Sequence, residues 1–225
     1  MLTLEDVWPL FRLRLVTPRL VLRPLRDQDI PAYIEAAASG VHDAPTGRTP
    51  FLAPWDESPD LVANTPRWIW ETRLRSRPEA WTVAFGVWSH DGGFLGSQDV
   101  RAEAFGDLRT VGSGSWLRRS AHGQGLGTEM RAAVLFWAFD WLGAEYALTS
   151  AFDWNAPSLG VSRRLGYGPN GESRLVTRPG VVERELHLRL AKADFKRPGW
   201  ELTVDGAEAA AASLGIHGER GGRSR

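Results

Sequence analysis

One short stretch limits what this chain can become. In "HGQGLGTEM", residues 122–130, glycines stand at Gly123, Gly125 and Gly127. The chain then runs straight into helical spacing at Met130, Val134, Trp137, Ala138 and Trp141. Glycine admits backbone conformations closed to other residues and lets main-chain N–H groups approach a ligand. A helix N-terminus carries unpaired N–H groups and partial positive charge. The stretch therefore predicts a turn into a helix that holds an anion through its backbone.

The flanking sequence supplies strands on both sides. "TPRLVLRPLRDQDI" alternates Leu20 and Leu22 with Val21 and Arg23, a short strand, and Asp27 can cap a helix over Ile30, Ile34 and Ala37. "SGVHDAPTGRTPFLAPW" is a loop, and Thr65-Pro66 predicts the start of a helix running to about Arg75. "WTVAFGVWS" and "FLGSQDVRAE" form a hairpin across "HDGG", followed by a third strand, "VGSGSWLRR". Beyond the glycine turn and its helix come a buried strand, "YALTSAF", and a helix capped by Asn155 and ended by Gly166. The hairpin "VTRPGVVERELHLRL" closes the series, its second strand alternating Leu186, Leu188 and Leu190 with Glu185, His187 and Arg189. The order predicts one mixed α/β domain with six to seven strands over residues 1–205. Residues 206–225, Ala-rich and then Gly- and Arg-rich, are expected to be a flexible or partly disordered tail.

Composition removes several function classes. At 225 residues and 43% hydrophobic, the chain buries a full core. Its 27 basic and 27 acidic residues cancel, which argues against a protein that coats nucleic acid. There is no cysteine, so disulfides, thiolate zinc sites and cysteine nucleophiles are excluded, and no metal is expected. The start, "MLTLEDVWPLFRLRL", is broken by charges and does not read as a secretory signal. No run of about 18 apolar residues exists to span a bilayer. A cytoplasmic protein with no membrane role is the expectation. The 11 tryptophans, among them Trp55, Trp68, Trp70, Trp81 and Trp88, are accounted for as core mass or, alternatively, as a pocket wall.

Three anion-binding patterns compete for the glycine turn. A P-loop needs Lys after the last glycine, where Thr128 and Glu129 stand. A dinucleotide fingerprint needs G-x-G-x-x-G directly after a strand, whereas the spacing here is G-x-G-x-G behind the loop "RRSAH". The third pattern, x-x-x-G-x-G/A at a turn into a helix, resembles the pyrophosphate loop of the GCN5-related N-acetyltransferases, the GNAT superfamily. A second block, "NAPSLGVSRRLGY" from Asn155 to Tyr167, resembles the same family's other coenzyme A motif, one helix and one strand further on. "TPRLVLRPLRDQDI", Ser158 and "VSRR" resemble the branch that acetylates N-termini of ribosomal proteins. "WPLF", "GVHD", "GSGSW" and "GTEMRAAVL" resemble a mycobacterial member associated with succinyl-CoA. The resemblance covers most of residues 8–205.

What the resemblance implies is an acyl-CoA-dependent N-acyltransferase. Its mostly antiparallel sheet is flanked by helices and splayed between the fourth and fifth strands. Amides of Gly123, Gln124, Gly125, Leu126, Gly127 and Thr128 would surround the pyrophosphate, with Asn155 and Arg164 nearby. His122 stands where the family usually has Arg or Gln, which weakens charge support without removing the main-chain contacts. Ser115 and Leu117 would offer backbone groups to the pantetheine arm, and the Leu117 N–H would donate to the thioester carbonyl. The acyl donor would be acetyl-CoA or succinyl-CoA, and the acceptor a primary amine on a protein N-terminus, a lysine or a small molecule. A homodimer is an assembly that the family often adopts.

Ser158 is the expected hydroxyl donor to the leaving thiolate, since Ser162 occupies the position where many members carry a Tyr. The branch's downstream Glu has no counterpart, because the count from Ser158 reaches Leu175 to Thr177. His42 and Asp43 in the acceptor-side loop, and Asp153, are the candidates for the base. An α-amine near pKa 8 needs less help than a lysine near 10.4, which would require about 3.5 kcal/mol more for deprotonation. The absence of an evident base favours low-pKa amines. The alternative function is a CoA-binding regulatory module with weak catalysis.

Overall fold

The computed structural model describes residues 1–44 and 48–216. In chain order the elements are α1 (Leu4–Val7), β1 (Arg14–Val16), β2 (Leu20–Pro24), α2 (Ile30–Ala38), α3 (Leu61–Arg75), β3 (Ala80–Ser89), β4 (Phe94–Glu103), α4 (Phe105–Leu108) and β5 (Thr110–Leu117). There follow α5 (Leu126–Phe136), β6 (Tyr146–Phe152), α6 (Ala156–Leu165), β7 (Gly168–Arg178), β8 (Val181–Ala191), β9 (Thr203–Asp205) and α7 (Ala207–Ser213). The strands make one sheet in the order β7-β8-β6-β5-β4-β3-β2-β1-β9. Every neighbouring pair is antiparallel except β5–β6.

The sheet has nine strands rather than the expected six to seven. The two that pattern reading lacks, β1 and β9, are three residues each and pair with one another across nearly the whole chain. So short a run shows no period, and its partner is too remote to be inferred locally. Helix α3 likewise begins four residues before Thr65, whose hydroxyl bonds back to the Leu61 carbonyl at 2.8 Å, with Pro66 inside the helix. The hairpin turn between β3 and β4 is as expected: Gly92 takes φ +90°, and the Ser89 N–H donates to the Gly93 carbonyl at 2.9 Å.

The parallel pairing of β5 with β6 lasts only from Thr110–Tyr146 to Gly112–Leu148. Beyond it β5 stays on β4 as far as Leu117, and β6 stays on β8 as far as Phe152. Each strand thus follows its outer neighbour, and a wedge opens between them. It is the expected splay, counted one strand later because β1 precedes the strand at Leu20.

Helix α5 is buried along nearly its whole length and continues into a π-helical turn, Trp137–Trp141. It seals one face of the sheet, with Trp137 packed edge-on against Phe85 at 5.5 Å. On the other face α2 and α3 bury Tyr33, Ile69, Phe94 and Trp116 as a second cluster. Past Gly206, α7 packs on the turn Pro9–Arg12 and buries Ala210 and Leu214. The expected tail therefore includes an ordered helix, and residues 217–225 lie outside the described residues.

Candidate functional site

Gly123 and Gly125 take left-handed conformations, φ +74° and +78°, and Gly125 is the N-cap of α5. A side chain at either would be strained, since only glycine visits this region at no steric penalty. The N–H groups of Thr128 and Glu129 both turn back to the Gly125 carbonyl at 3.1 Å. Those of Gly123 through Gly127 have no partner among the described residues. Thr128 therefore stands apart from its neighbours: its amide closes the first helical turn. The Gln124 carbonyl is pinned by Arg19 Nη1 at 2.9 Å, while Arg19 Nε donates to the buried Glu129 carboxylate at 2.6 Å. The result is a run of amides at the positive end of a helix, with the one local carboxylate neutralised by a guanidinium.

That turn opens onto the wedge. The Arg118 N–H donates to Leu95 O at 2.8 Å, and the Gly114 N–H to Asp99 Oδ1 at 3.1 Å, so these residues face β4. Strand residues alternate in direction, which turns the backbone groups of Ser115 and Leu117 into the wedge. His122 Nε2 lies 2.8 Å from the Leu117 carbonyl, and since a carbonyl only accepts, the imidazole donates there. His122 thus ties the glycine turn to the end of β5. Among the described residues, no β6 residue pairs with β5 beyond Gly112–Leu148, so the main-chain N–H groups of Ser115 and Leu117 face the open side of the wedge.

Helix α6 forms the other wall. Asn155 Oδ1 accepts the Ser158 N–H at 3.2 Å, the expected cap. The Ser158 hydroxyl has no partner among the described residues, and the Ser162 hydroxyl is turned to the Ser158 carbonyl at 3.1 Å. A Cβ at Gly127 would touch Val161 of α6 at 3.7 Å and Leu117 of β5 at 3.9 Å, so three elements converge at this glycine. Arg163 and Arg164 are solvent-exposed on α6. Tyr167, just past α6, is buried, and burial pushes its phenol above the ordinary tyrosine value.

On the opposite face of the wedge, Tyr33, Phe51, Trp55 and Trp116 form a continuous aromatic wall, with ring centroids 4.9–6.3 Å apart. Trp116 Nε1 donates to the Tyr33 hydroxyl at 3.1 Å, and burial pushes that phenol well up. The chain between α2 and α3 crosses to the far strands: Arg48 Nε meets Glu183 at 3.3 Å, and Arg178 holds Glu57 at 2.8 Å. His42 Nδ1 accepts the Ala44 N–H at 3.1 Å, which leaves the proton on Nε2, 3.2 Å from Asp56. Nε2 is buried and faces that carboxylate without a well-formed hydrogen bond. Asp43 pairs with Arg119 at 3.1 Å on the surface, both groups more than half exposed. Ligand atoms of His42, Asp56 and Glu57 lie within 4.8 Å of one another, with Glu57 already held by Arg178.

A family model described as the Acetyltransferase (GNAT) domain matches residues 19–168. The chain belongs to the GNAT acetyltransferase family. Solved structures share the fold. Mycobacterium smegmatis RimJ in complex with CoA-disulfide is 19% identical with a TM-score of 0.65, covering 90% of this chain and 95% of that one. RimL, a ribosomal L7/L12 alpha-N-protein acetyltransferase solved with coenzyme A, is 16% identical with a TM-score of 0.61, covering 78% and 96%. Spermidine N-acetyltransferase from Vibrio cholerae, in complex with CoA and spermine, is 12% identical with a TM-score of 0.63, covering 79% and 98%.

In this GNAT domain, sequence reasoning misses two buried carboxylates on β8. Glu183 accepts from Trp154 Nε1 at 2.9 Å and is 3% exposed. Glu185 is 9% exposed, takes a hydrogen bond from the Ser150 hydroxyl and a longer one from Ser173 at 3.3 Å, and has no arginine or lysine partner among the described residues. Ser173 in turn meets His187 Nε2 at 3.1 Å. The signal is present in the alternation of β8, where Glu183, Glu185 and His187 share one face. That face reads as solvated until β7, β6 and the loop after α2 cover it. Among the described residues, no helix is long and apolar enough to cross a membrane.

Proposed function

We propose that the protein transfers an acetyl group from coenzyme A to a primary amine by direct attack of the amine on the thioester. The observation that carries this is the run of unpartnered amides from Gly123 to Gly127 opening onto the unpaired edge of β5. Such a surface suits two linked phosphates followed by an amide-bearing arm, which needs N–H and C=O partners along its length. The structural neighbours solved with coenzyme A, RimJ and RimL, support the same donor.

In the reaction, the Leu117 or Ser115 N–H donates to the developing oxyanion, a contribution of about 3 kcal/mol. The Ser158 hydroxyl donates a hydrogen bond that stabilises the departing thiolate, and its lack of a partner among the described residues supports this role. Glu185 takes the proton of the amine, directly or through one water. It is a buried carboxylate on β8, paired in register with Phe152 at the end of β6, and it is held by hydroxyls rather than by a cation. His42, its Nδ1 taken by the Ala44 N–H and its Nε2 facing Asp56, and Asp43, ion-paired at the surface, position the acceptor-side loop. Glu57 and Glu183 are ion-paired to Arg178 and Arg48, which leaves Glu185 as a carboxylate on this face without an arginine or lysine partner among the described residues, and its charge favours a cationic amine as acceptor.

Calorimetry with acetyl-CoA, followed by transfer to a panel of peptide N-termini, lysines and polyamines read by mass spectrometry, tests this. Saturable binding with transfer to at least one amine is expected. Binding without transfer to any of them would instead favour a regulatory CoA-binding module, and no binding would remove both.

A further inference from the structure

Where the backbone ladder between β5 and β6 stops, a buried cation takes its place. Arg131 of α5 is 4% exposed, and its hydrogen-bond partners are two hydroxyls and no carboxylate among the described residues. Its Nη2 donates to Ser115 Oγ on β5 at 3.1 Å, and its Nη1 to Thr149 Oγ1 on β6 at 3.3 Å. The Thr149 hydroxyl donates in turn to the Ser113 carbonyl at 3.2 Å. The last backbone rung is Gly112–Leu148, so these bonds begin one residue beyond it on each strand. Arg131 Nε, Ser113 Oγ and the Tyr167 hydroxyl lie buried beside them without a well-formed hydrogen bond.

Asp99 lies near enough to Arg131 to interact with it electrostatically but makes no hydrogen bond to it. A guanidinium buried with no carboxylate in contact is an expensive way to fill space, and a Leu or Met of similar volume would pack there more favourably. What a guanidinium offers instead is a rigid planar fork that reaches two acceptors at a fixed separation. We propose that Arg131 is a positioning residue that braces the wedge: by holding Ser115 and Thr149 apart it keeps the edge of β5 presented and the cleft at the width the pantetheine arm enters. This rests on the wedge being the acyl-CoA cleft. Without the brace the two strands either zip further together or gape, and the amides of Ser115 and Leu117 lose their fixed direction.

The test uses Arg131→Met, Arg131→Lys and Thr149→Val in the full chain, each checked for folding and assayed well below its melting temperature. Calorimetry with coenzyme A is expected to show binding weakened about tenfold in Arg131→Met and about threefold in Thr149→Val, the scale of lost hydrogen bonds. KM for acetyl-CoA should rise in parallel, and kcat should fall as well, because the Ser115 and Leu117 amides also face the oxyanion. Amide hydrogen exchange over residues 113–117 and 149–152 should quicken in both variants without ligand. Arg131→Lys keeps the charge but not the fork, and should bind as weakly as Arg131→Met. Unchanged affinity and exchange in folded Arg131→Met, or in Thr149→Val should the first not fold, would overturn the brace. Full recovery by lysine would overturn it too, by assigning the effect to charge. If the unaltered protein binds no coenzyme A yet exchange still responds to Arg131→Met, the brace stands and the function proposed above fails.

Discussion

From His122 to Thr128 the site is made of consecutive residues whose side chains contribute little, whereas on the acceptor face Glu185, Ser150, Trp55 and His42 come from four separate segments. The first region works through backbone direction, so its tolerance is set by φ. The second works through side-chain chemistry placed by packing, so it tolerates backbone adjustment but not loss of particular groups. A substitution that destroys one should leave the other measurable. The largest such effect is expected at Gly125. Gly125→Val forces a β-branched side chain into a left-handed conformation, about 1–2 kcal/mol of strain for a Cβ alone, and sets it among the free amides. KM for acetyl-CoA should rise by at least about a hundredfold, because the amides no longer converge. Gly92→Ala, at φ +90° in the β3–β4 turn with open space around it, carries similar backbone strain far from the cleft. If both lowered stability alike and neither changed KM, the glycine turn would be architectural only.

This contrast also explains which features are legible without the fold. The glycine turn and the Asn155 cap are local: their conformation and hydrogen bonds lie within a few residues, so spacing alone locates them. The splay is legible only through family resemblance, since nothing within "VGSGSWL" says that its outer edge goes unpaired. Glu185 and Arg131 are illegible for opposite reasons. Glu185 sits in a strand whose polar face has the pattern of a solvated one, while Arg131 has the spacing of an exposed charge on an amphipathic helix. Arg131 is buried because α5 is covered along nearly its whole length, and Glu185 is buried although Val182, Arg184 and Arg189 of the same strand are exposed. Likewise β1 and β9 exist because each completes the other's edge, a relation that no local window contains.

On the acceptor face the largest expected loss comes from Glu185→Gln, whose carbonyl keeps the hydrogen bond from one serine hydroxyl while its NH2 donates to the other, but which removes the proton acceptor. Turnover should fall about a hundredfold with KM for acetyl-CoA unchanged, the usual scale for a general base. The loss should be greater with lysine-like acceptors than with α-amines, which are already partly neutral near pH 7. Equal loss with both acceptor types would point to a structural role for Glu185. Ser158→Ala is expected to act more weakly, about tenfold on turnover, because a thiolate is a tolerable leaving group without full protonation. Its affinity for coenzyme A should not move, since the Ser158 amide that Asn155 caps is retained. Normal turnover in Ser158→Ala would assign the hydroxyl to the helix rather than to the chemistry.

The smallest effect is on stability and comes from Asp56, which faces His42 at 3.2 Å and has Glu57 as a like-charged neighbour. Burial is the main cause that raises its carboxyl above the ordinary value of 3.8, with the His42 imidazole working the other way. A carboxyl whose folded-state value is raised makes the native protein bind a proton that the unfolded chain releases, so native stability declines as pH climbs through that interval. The penalty is absent below about 3.8 and fully present once pH exceeds the raised value. Asp56→Asn removes it, and should therefore melt slightly higher than the unaltered protein at pH 7, with the difference closing on acidification toward pH 4. A lower melting temperature at pH 7 would mean that the contact with His42 outweighs desolvation, and that the loop after α2 is held by that contact rather than by its aromatic wall.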